Sequence, residues 1–127
     1  MAKLKIEMII EGGAHEFSGR INFGDNLIVD HAATVAELEQ KLKTLLKDFE
    51  DLDPDTIQFE HLYDVYALFQ HFDYLNMSKV AQRAGINPGL LRQYASQVKY
   101  PSKKQAKKIE DTIHALADDM MKAFLFA

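Results

Sequence analysis

Residues 87–97 read Asn-Pro-Gly-Leu-Leu-Arg-Gln-Tyr-Ala-Ser-Gln. At 100° per residue, Gly89, Arg92, Gln93 and Ser96 fall on one side of a helix, at the spacing i, i+3, i+4, i+7. Leu91, Tyr94 and Val98 cluster on the other. The outward side combines a guanidinium, an amide, a hydroxyl and a glycine. In a major groove Arg can pair with guanine and Gln with adenine, and a glycine lets backbone approach a phosphate. Lys99, Lys103, Lys104, Lys107 and Lys108 follow and could hold phosphates. Ser102 opens a further helix, whose first N–H groups could take another. Residues 79–108 hold eight basic side chains and no acidic one.

The stretch just before it sets the geometry. Residues 77–84 form a short helical pattern, and Gly85 sits where the chain must turn, often with positive φ. Ile86 plugs the corner. Asn87 is a good N-cap and Pro88 suits the first helical position, where a missing N–H costs nothing. Two helices at such a corner, the second facing outward with polar groups, have the geometry of a helix-turn-helix.

The run "SKVAQRAGINPGLLRQYASQ", followed by "KYPSKKQAKKIEDTIHAL", resembles a lambda-repressor-like helix-turn-helix of the kind carried by HicB-like antitoxins. The resemblance extends over about residues 64–117. It implies a five-helix DNA-binding fold, dimerisation and operator binding. Position by position, it implies DNA contacts at Arg83, Pro88, Gly89, Arg92, Gln93 and Ser96, with phosphate contacts at Lys99, Tyr100 and Lys103. Gln97 stands where the family prefers glycine. The first half resembles the HicB sheet domain in order of elements, and "FGDNLIVDHAATVAELEQKL" echoes that family's Gly-Asp-Thr and following helix, without its Pro-Gly segment. That part of the resemblance implies binding to a small, basic, RNA-cleaving toxin.

The bulk composition sets the bounds. A chain of 127 residues, 47% hydrophobic and 27% charged, fits one globular domain or two small ones. Without cysteine, disulfides, thiolate metal sites and cysteine nucleophiles are excluded, which fits a cytoplasmic protein. The first residues lack the apolar run of a signal peptide, and no run approaches a membrane span. The net charge of −4 hides an asymmetry: residues 1–63 hold six basic and thirteen acidic side chains, residues 64–127 nine and six.

The elements that position the basic stretch follow from periodicity. Residues 3–10 alternate as a strand, with Leu4, Ile6, Met8 and Ile10 on one side. Gly12-Gly13 turns the chain into a second strand at 15–21, and residues 26–30 form a third. Thr34 and Glu37 read as a capping box opening a helix, with the stripe Val35, Leu38, Leu42, Leu45, Leu46, Phe49. A fourth strand spans 56–62. After that the pattern is helical. Val65, Leu68, Phe69 and Phe72 form one buried face. The last helix carries Ala106, Ile109, Ile113, Leu116, Ala117, Met120 and Phe124, a stripe long enough to reach a second subunit or the sheet.

Other chemistries fit less well. The acidic run 48–55 lacks the Gly and Glu of a calcium loop and reads as a solvated helix end. The five histidines show no ligand spacing. Glu7, Glu37 and Glu60 could be drawn as a two-metal nuclease site, but Glu37 already has a capping role and no nucleophile–base pair accompanies them.

The expected protein is α+β, a small β-β-β-α-β sheet domain over residues 1–62 followed by an all-α helix-turn-helix domain over 63–127. It is expected to be a sequence-specific DNA-binding regulator, not an enzyme, and to be a cytoplasmic homodimer on double-stranded DNA without cofactor, metal or membrane. The alternatives are an antitoxin-type module that neutralises a small basic toxin and, further off, a metal-dependent nuclease.

Overall fold

The computed structural model describes residues 2–127. The chain is mixed α+β, with a four-stranded sheet and five α-helices among the described residues, and divides into two compact units, Met1–Phe72 and Asp73–Ala127.

The first unit follows its hydrophobic periods. Strand β1 (Leu4–Gly12) sends Ile6, Met8 and Ile10 to one face, where all three are buried. Strands β2 (Phe17–Phe23) and β3 (Asn26–Ala32) form an antiparallel hairpin whose two-residue turn is Gly24-Asp25. Gly24 has φ +58° while Asp25 does not have positive φ, the type II′ pattern that matches the twist of the flanking strands. Helix α1 (Val35–Glu50) crosses the inner face and returns the chain to β4 (Ile57–Tyr63), parallel to β1; the strand order is β3-β2-β1-β4. Leu38, Leu42 and Leu46 are fully buried against Met8, Ile10 and Ile21. The helix can lie this close because β2 has a glycine beneath it: a Cβ on Gly19 would come 2.7 Å from Leu38 Cδ2.

Helix α2 (Val65–His71) belongs to this unit, so the division falls after Phe72 rather than at the expected 62/63. The reason is Asp64. Its Oδ1 accepts the Ala67 N–H (2.7 Å) as the N-cap of α2 and also the Gly12 N–H (3.1 Å), while its own N–H donates to the Ile10 carbonyl (2.9 Å). A Cβ on Gly12 would meet the Tyr66 ring at 2.2 Å and the Ala67 nitrogen at 2.9 Å, so glycine is what lets α2 dock on β1.

The second unit holds three helices, α3 (Met77–Ala84), α4 (Pro88–Ala95) and α5 (Lys103–Met121), around Val80, Ala81, Ile86, Leu91, Tyr94 and Ile109. Over the range of the resemblance the chain forms four α-helices, α2 to α5, where the resemblance implies five.

Three apolar expectations and one capping expectation need correction. Phe49, drawn into the α1 stripe, is 75% exposed, because the last turn of α1 lies beside the β3 edge rather than over the sheet. Val98 is exposed because α4 ends at Ala95 and the chain leaves the helical path. Of the α5 stripe only Ile109 is buried and Phe124 lies past the helix end. The Thr34–Glu37 box is half made: Thr34 Oγ1 accepts the Glu37 N–H at 3.1 Å, and the Glu37 carboxylate makes no return bond.

Candidate nucleic-acid interface

The corner between α3 and α4 is held by its own hydrogen bonds. Gly85 takes φ +71°, and the Ile86 N–H reaches back to the Ala81 carbonyl at 2.9 Å. This is a Schellman ending, which satisfies carbonyls the helix leaves free. Ile86 itself is buried, so the turn is pinned at its centre. Asn87 Oδ1 then accepts the N–H groups of Gly89 (2.8 Å) and Leu90 (3.3 Å), with Pro88 in the first turn. The start of α4 is therefore fixed in position and direction.

Leu91, fully buried, and Tyr94 anchor α4 from beneath. Arg92 and Ser96 are exposed on the other side, and Pro88, Gly89 and Gln93 are half-buried beside them. Arg92 Nη2 lies 4.0 Å from where a Gly89 Cβ would stand, so the guanidinium and the bare backbone of Gly89 share one patch. The Ser96 hydroxyl is turned back into the helix, donating to the Arg92 carbonyl at 2.9 Å and the Gln93 carbonyl at 3.3 Å. Ser96 is thus a helix-end group first and a weaker candidate for base contact than Arg92 or Gln93.

Beyond α4 the chain turns at Gln97, which has φ +63°. Gln97 donates to the Tyr94 carbonyl and Val98 to the Gln93 carbonyl, a second Schellman ending with glutamine at the left-handed position. Glycine would take this left-handed conformation without the cost that a Cβ brings. Lys99 and Tyr100 are exposed on the loop, and Lys103 on the first turn of α5, where Ser102 Oγ caps the Gln105 N–H at 3.2 Å. Arg83 is exposed on the last turn of α3, which packs against both α4 and α5.

The cations are available. Of the eight basic side chains in residues 79–108, Lys107 alone has a carboxylate partner among the described residues, Asp111 at 3.0 Å. That hydrogen bond raises the Lys107 pKa and ties its charge to its own helix. Lys103, Lys104 and Lys108 are freer to meet a phosphate.

The first unit has a side-chain cluster that sequence spacing gave no means of finding. His61 on β4 hydrogen-bonds Glu39 on α1 and meets the Tyr63 ring edge-on. Tyr63 stacks on His71 of α2 at 5.7 Å, and Phe17 and Phe72 close around His71. Burial, aided by the Glu39 charge, raises the Tyr63 pKa. The histidines come together only because β4 returns parallel to β1 and α2 folds back. Among the described residues no three His, Asp or Glu side chains are placed to hold a metal. Glu7 and Glu60 are register partners on the sheet face opposite α1, which carries Glu37, so the sheet separates those carboxylates.

No family model, no curated protein and no solved structure matches the chain. Among the described residues no helix is long and apolar enough to cross a membrane.

Proposed function

We propose that the chain is a sequence-specific DNA-binding transcriptional regulator, a cytoplasmic repressor of the antitoxin-like kind that acts as a homodimer. The observation that carries this reading is the surface of the second unit. A helix with a fixed start presents Arg92 outward with Gln93 and Gly89 half-buried beside it, among basic side chains of which, among the described residues, only Lys107 has a carboxylate partner. In this reading α4 enters the major groove, with Arg92 and Gln93 reading base edges. Arg83, Lys99, Tyr100 and Lys103 hold phosphates on either side, the bare backbone at Gly89 lies close to the duplex, and the first N–H groups of α5 approach a phosphate.

A second reading rests on the first unit, which carries fourteen acidic and six basic residues. As an antitoxin-type module it would cover a small basic toxin by charge complementarity. The two roles are compatible in one chain.

Duplex binding measured against salt tests the first reading. About five phosphate contacts give a slope of log K against log salt of roughly −4 to −5. Arg92→Ala or Gln93→Ala is expected to cost about 1–3 kcal/mol on the preferred site and to relax base preference, whereas Lys103→Ala weakens all sequences alike. A flat salt dependence, or no binding to any duplex at low salt, would sink the proposal.

A further inference from the structure

Strand β3 is an edge of the sheet, and its edge is open over a short, definable window. The two-residue turn makes Phe23 and Asn26 the closing hydrogen-bonded pair, so Ile28, Asp30 and Ala32 also point their backbone groups at β2. The backbone groups of Leu27, Val29 and His31 point away from the sheet. At His31 they are already engaged: its N–H donates to Asp30 Oδ1 (2.7 Å) and its carbonyl accepts from Lys41 Nζ (2.7 Å). Such side-chain blocking is one way a sheet protects an edge. Leu27 and Val29 have no such cover, and their side chains are 60% and 45% exposed. A shallow groove of mixed polarity runs alongside, between residues 26–29 and Leu45, Phe49 and Glu50 of α1.

We infer that this window is a self-association surface, on which a second copy of the chain adds its own β3 antiparallel across a two-fold axis at Ile28. The register follows from which groups are free. Leu27 and Val29 are the residues with open backbone groups, and pairing Leu27 with the mate's Val29, and the reverse, engages both in each copy with four N–H···O bonds. The same register places every other residue opposite a complement. Asp25 faces the mate's His31. Asn26, whose amide already donates to Glu50 Oε1 at 2.6 Å, has a second hydrogen for the mate's Asp30, which has a second oxygen free. Ile28 meets Ile28, with Phe49 positioned to cover the join on the α1 side. Centring the axis on Val29 instead would set Ile28 against Asp30 and require the blocked groups of His31. Centring it on Leu27 leaves one apolar pair only. An isologous contact of this kind joins two four-stranded sheets into one. It does not depend on the DNA-binding proposal, because every residue involved lies in the first unit.

The test uses the full chain. Amide exchange at Leu27 and Val29 should slow as protein concentration rises, while exposed loop amides do not change. Val29→Pro should raise the dissociation constant of self-association about ten-fold or more. It removes an N–H that the isolated sheet does not use, which is where an edge strand tolerates proline. Leu27→Lys, which leaves the backbone intact, should do the same. Asp25→Lys should weaken association, and Asp25→Lys combined with His31→Glu should restore it. If the Leu27 and Val29 amides exchange freely at all concentrations, or if mass by light scattering is unchanged in both edge variants, the surface is not used. If the double charge exchange associates no better than Asp25→Lys alone, the inferred register is wrong.

Discussion

In the first unit every strand and α-helix contributes to one core: β1, β2, β3, β4, α1 and α2 all place side chains in a single buried cluster or against it. In the second unit six buried residues hold three helices, and α5 alone exposes Met120 and Met121, with Phe124, Leu125 and Phe126 exposed beyond its end. The charge differs as sharply. Residues 1–72 carry fourteen acidic and six basic side chains, residues 73–127 five and nine. The difference teaches where stability and surface chemistry have been placed. A sheet buries one whole face under one helix, so its other residues can be charged at little cost. A three-helix unit has less interior per residue. When one face of α4 is also given over to polar groups and the start of α5 to cations, few positions remain to hold it together. Each buried side chain in the second unit therefore carries a larger share of its stability.

The largest effect is expected at Leu91. Leu91→Ala removes a fully buried anchor and should cost about 2–5 kcal/mol, a large part of what a unit this small has. In amide exchange, α3, α4 and α5 should lose protection while β1, β2 and α1 keep theirs. Leu42→Ala costs a similar amount but removes one member of a larger cluster, and should lower protection in the sheet and α1 and leave α4 unchanged. If either change melts all elements in one step, the two units are not separate in stability and the contrast fails.

Asp64 sharpens the boundary itself. Asp64→Ala removes the cap of α2 and leaves the Gly12 N–H without that acceptor, a loss of about 1–3 kcal/mol. The expected result is a first unit whose strands persist while α2 frays and the Tyr63–His71 stack is lost, seen as changed ring chemical shifts at Tyr63 and Phe17. If those shifts stay in place, α2 is held by packing alone and Asp64 does not decide which unit owns it.

Much of this was legible in the chain. Strand alternation at Ile6, Met8 and Ile10, the α1 leucines, the Gly85 corner and the Asn87-Pro88 start all obey local rules, and all lie where those rules put them. What was not legible depends on returning chain. That Asp64 both caps α2 and grips Gly12, 52 residues away, is visible only in the fold. Phe49 satisfies the helical period, but the period does not say where the sheet ends. Glu39, His61, Tyr63 and His71 have no spacing that predicts their meeting. For the candidate interface, outward placement of Arg92 was legible because α4 is short and its two anchors are close in sequence. The inward placement expected for Val98 failed because a helix wheel assumes that the helix continues.

The smallest effect, and the finest test, compares the two Schellman endings of the second unit. Gly85 and Gln97 occupy the same left-handed position, with φ +71° and +63°, and are followed by the same backward bond from the next N–H, Ile86 to Ala81 and Val98 to Gln93. Only the side chain differs. A residue with a Cβ held there is disfavoured by contact with its own carbonyl, an effect that glycine escapes. Gln97→Gly should therefore stabilise the second unit, by about 0.5–1 kcal/mol once the greater freedom of glycine in the unfolded chain is counted. Gly85→Ala should destabilise it by a similar amount; nothing lies within 4 Å of a Cβ there, so the cost is conformational rather than a clash. The loop after Gln97 carries Lys99 and Tyr100 toward α5, so a stiffer, relaxed turn should leave their placement intact and DNA affinity unchanged within about two-fold. If Gln97→Gly destabilises instead, the glutamine side chain is making contacts that outweigh its backbone strain, and the departure from glycine at this position is a feature of the second unit in its own right.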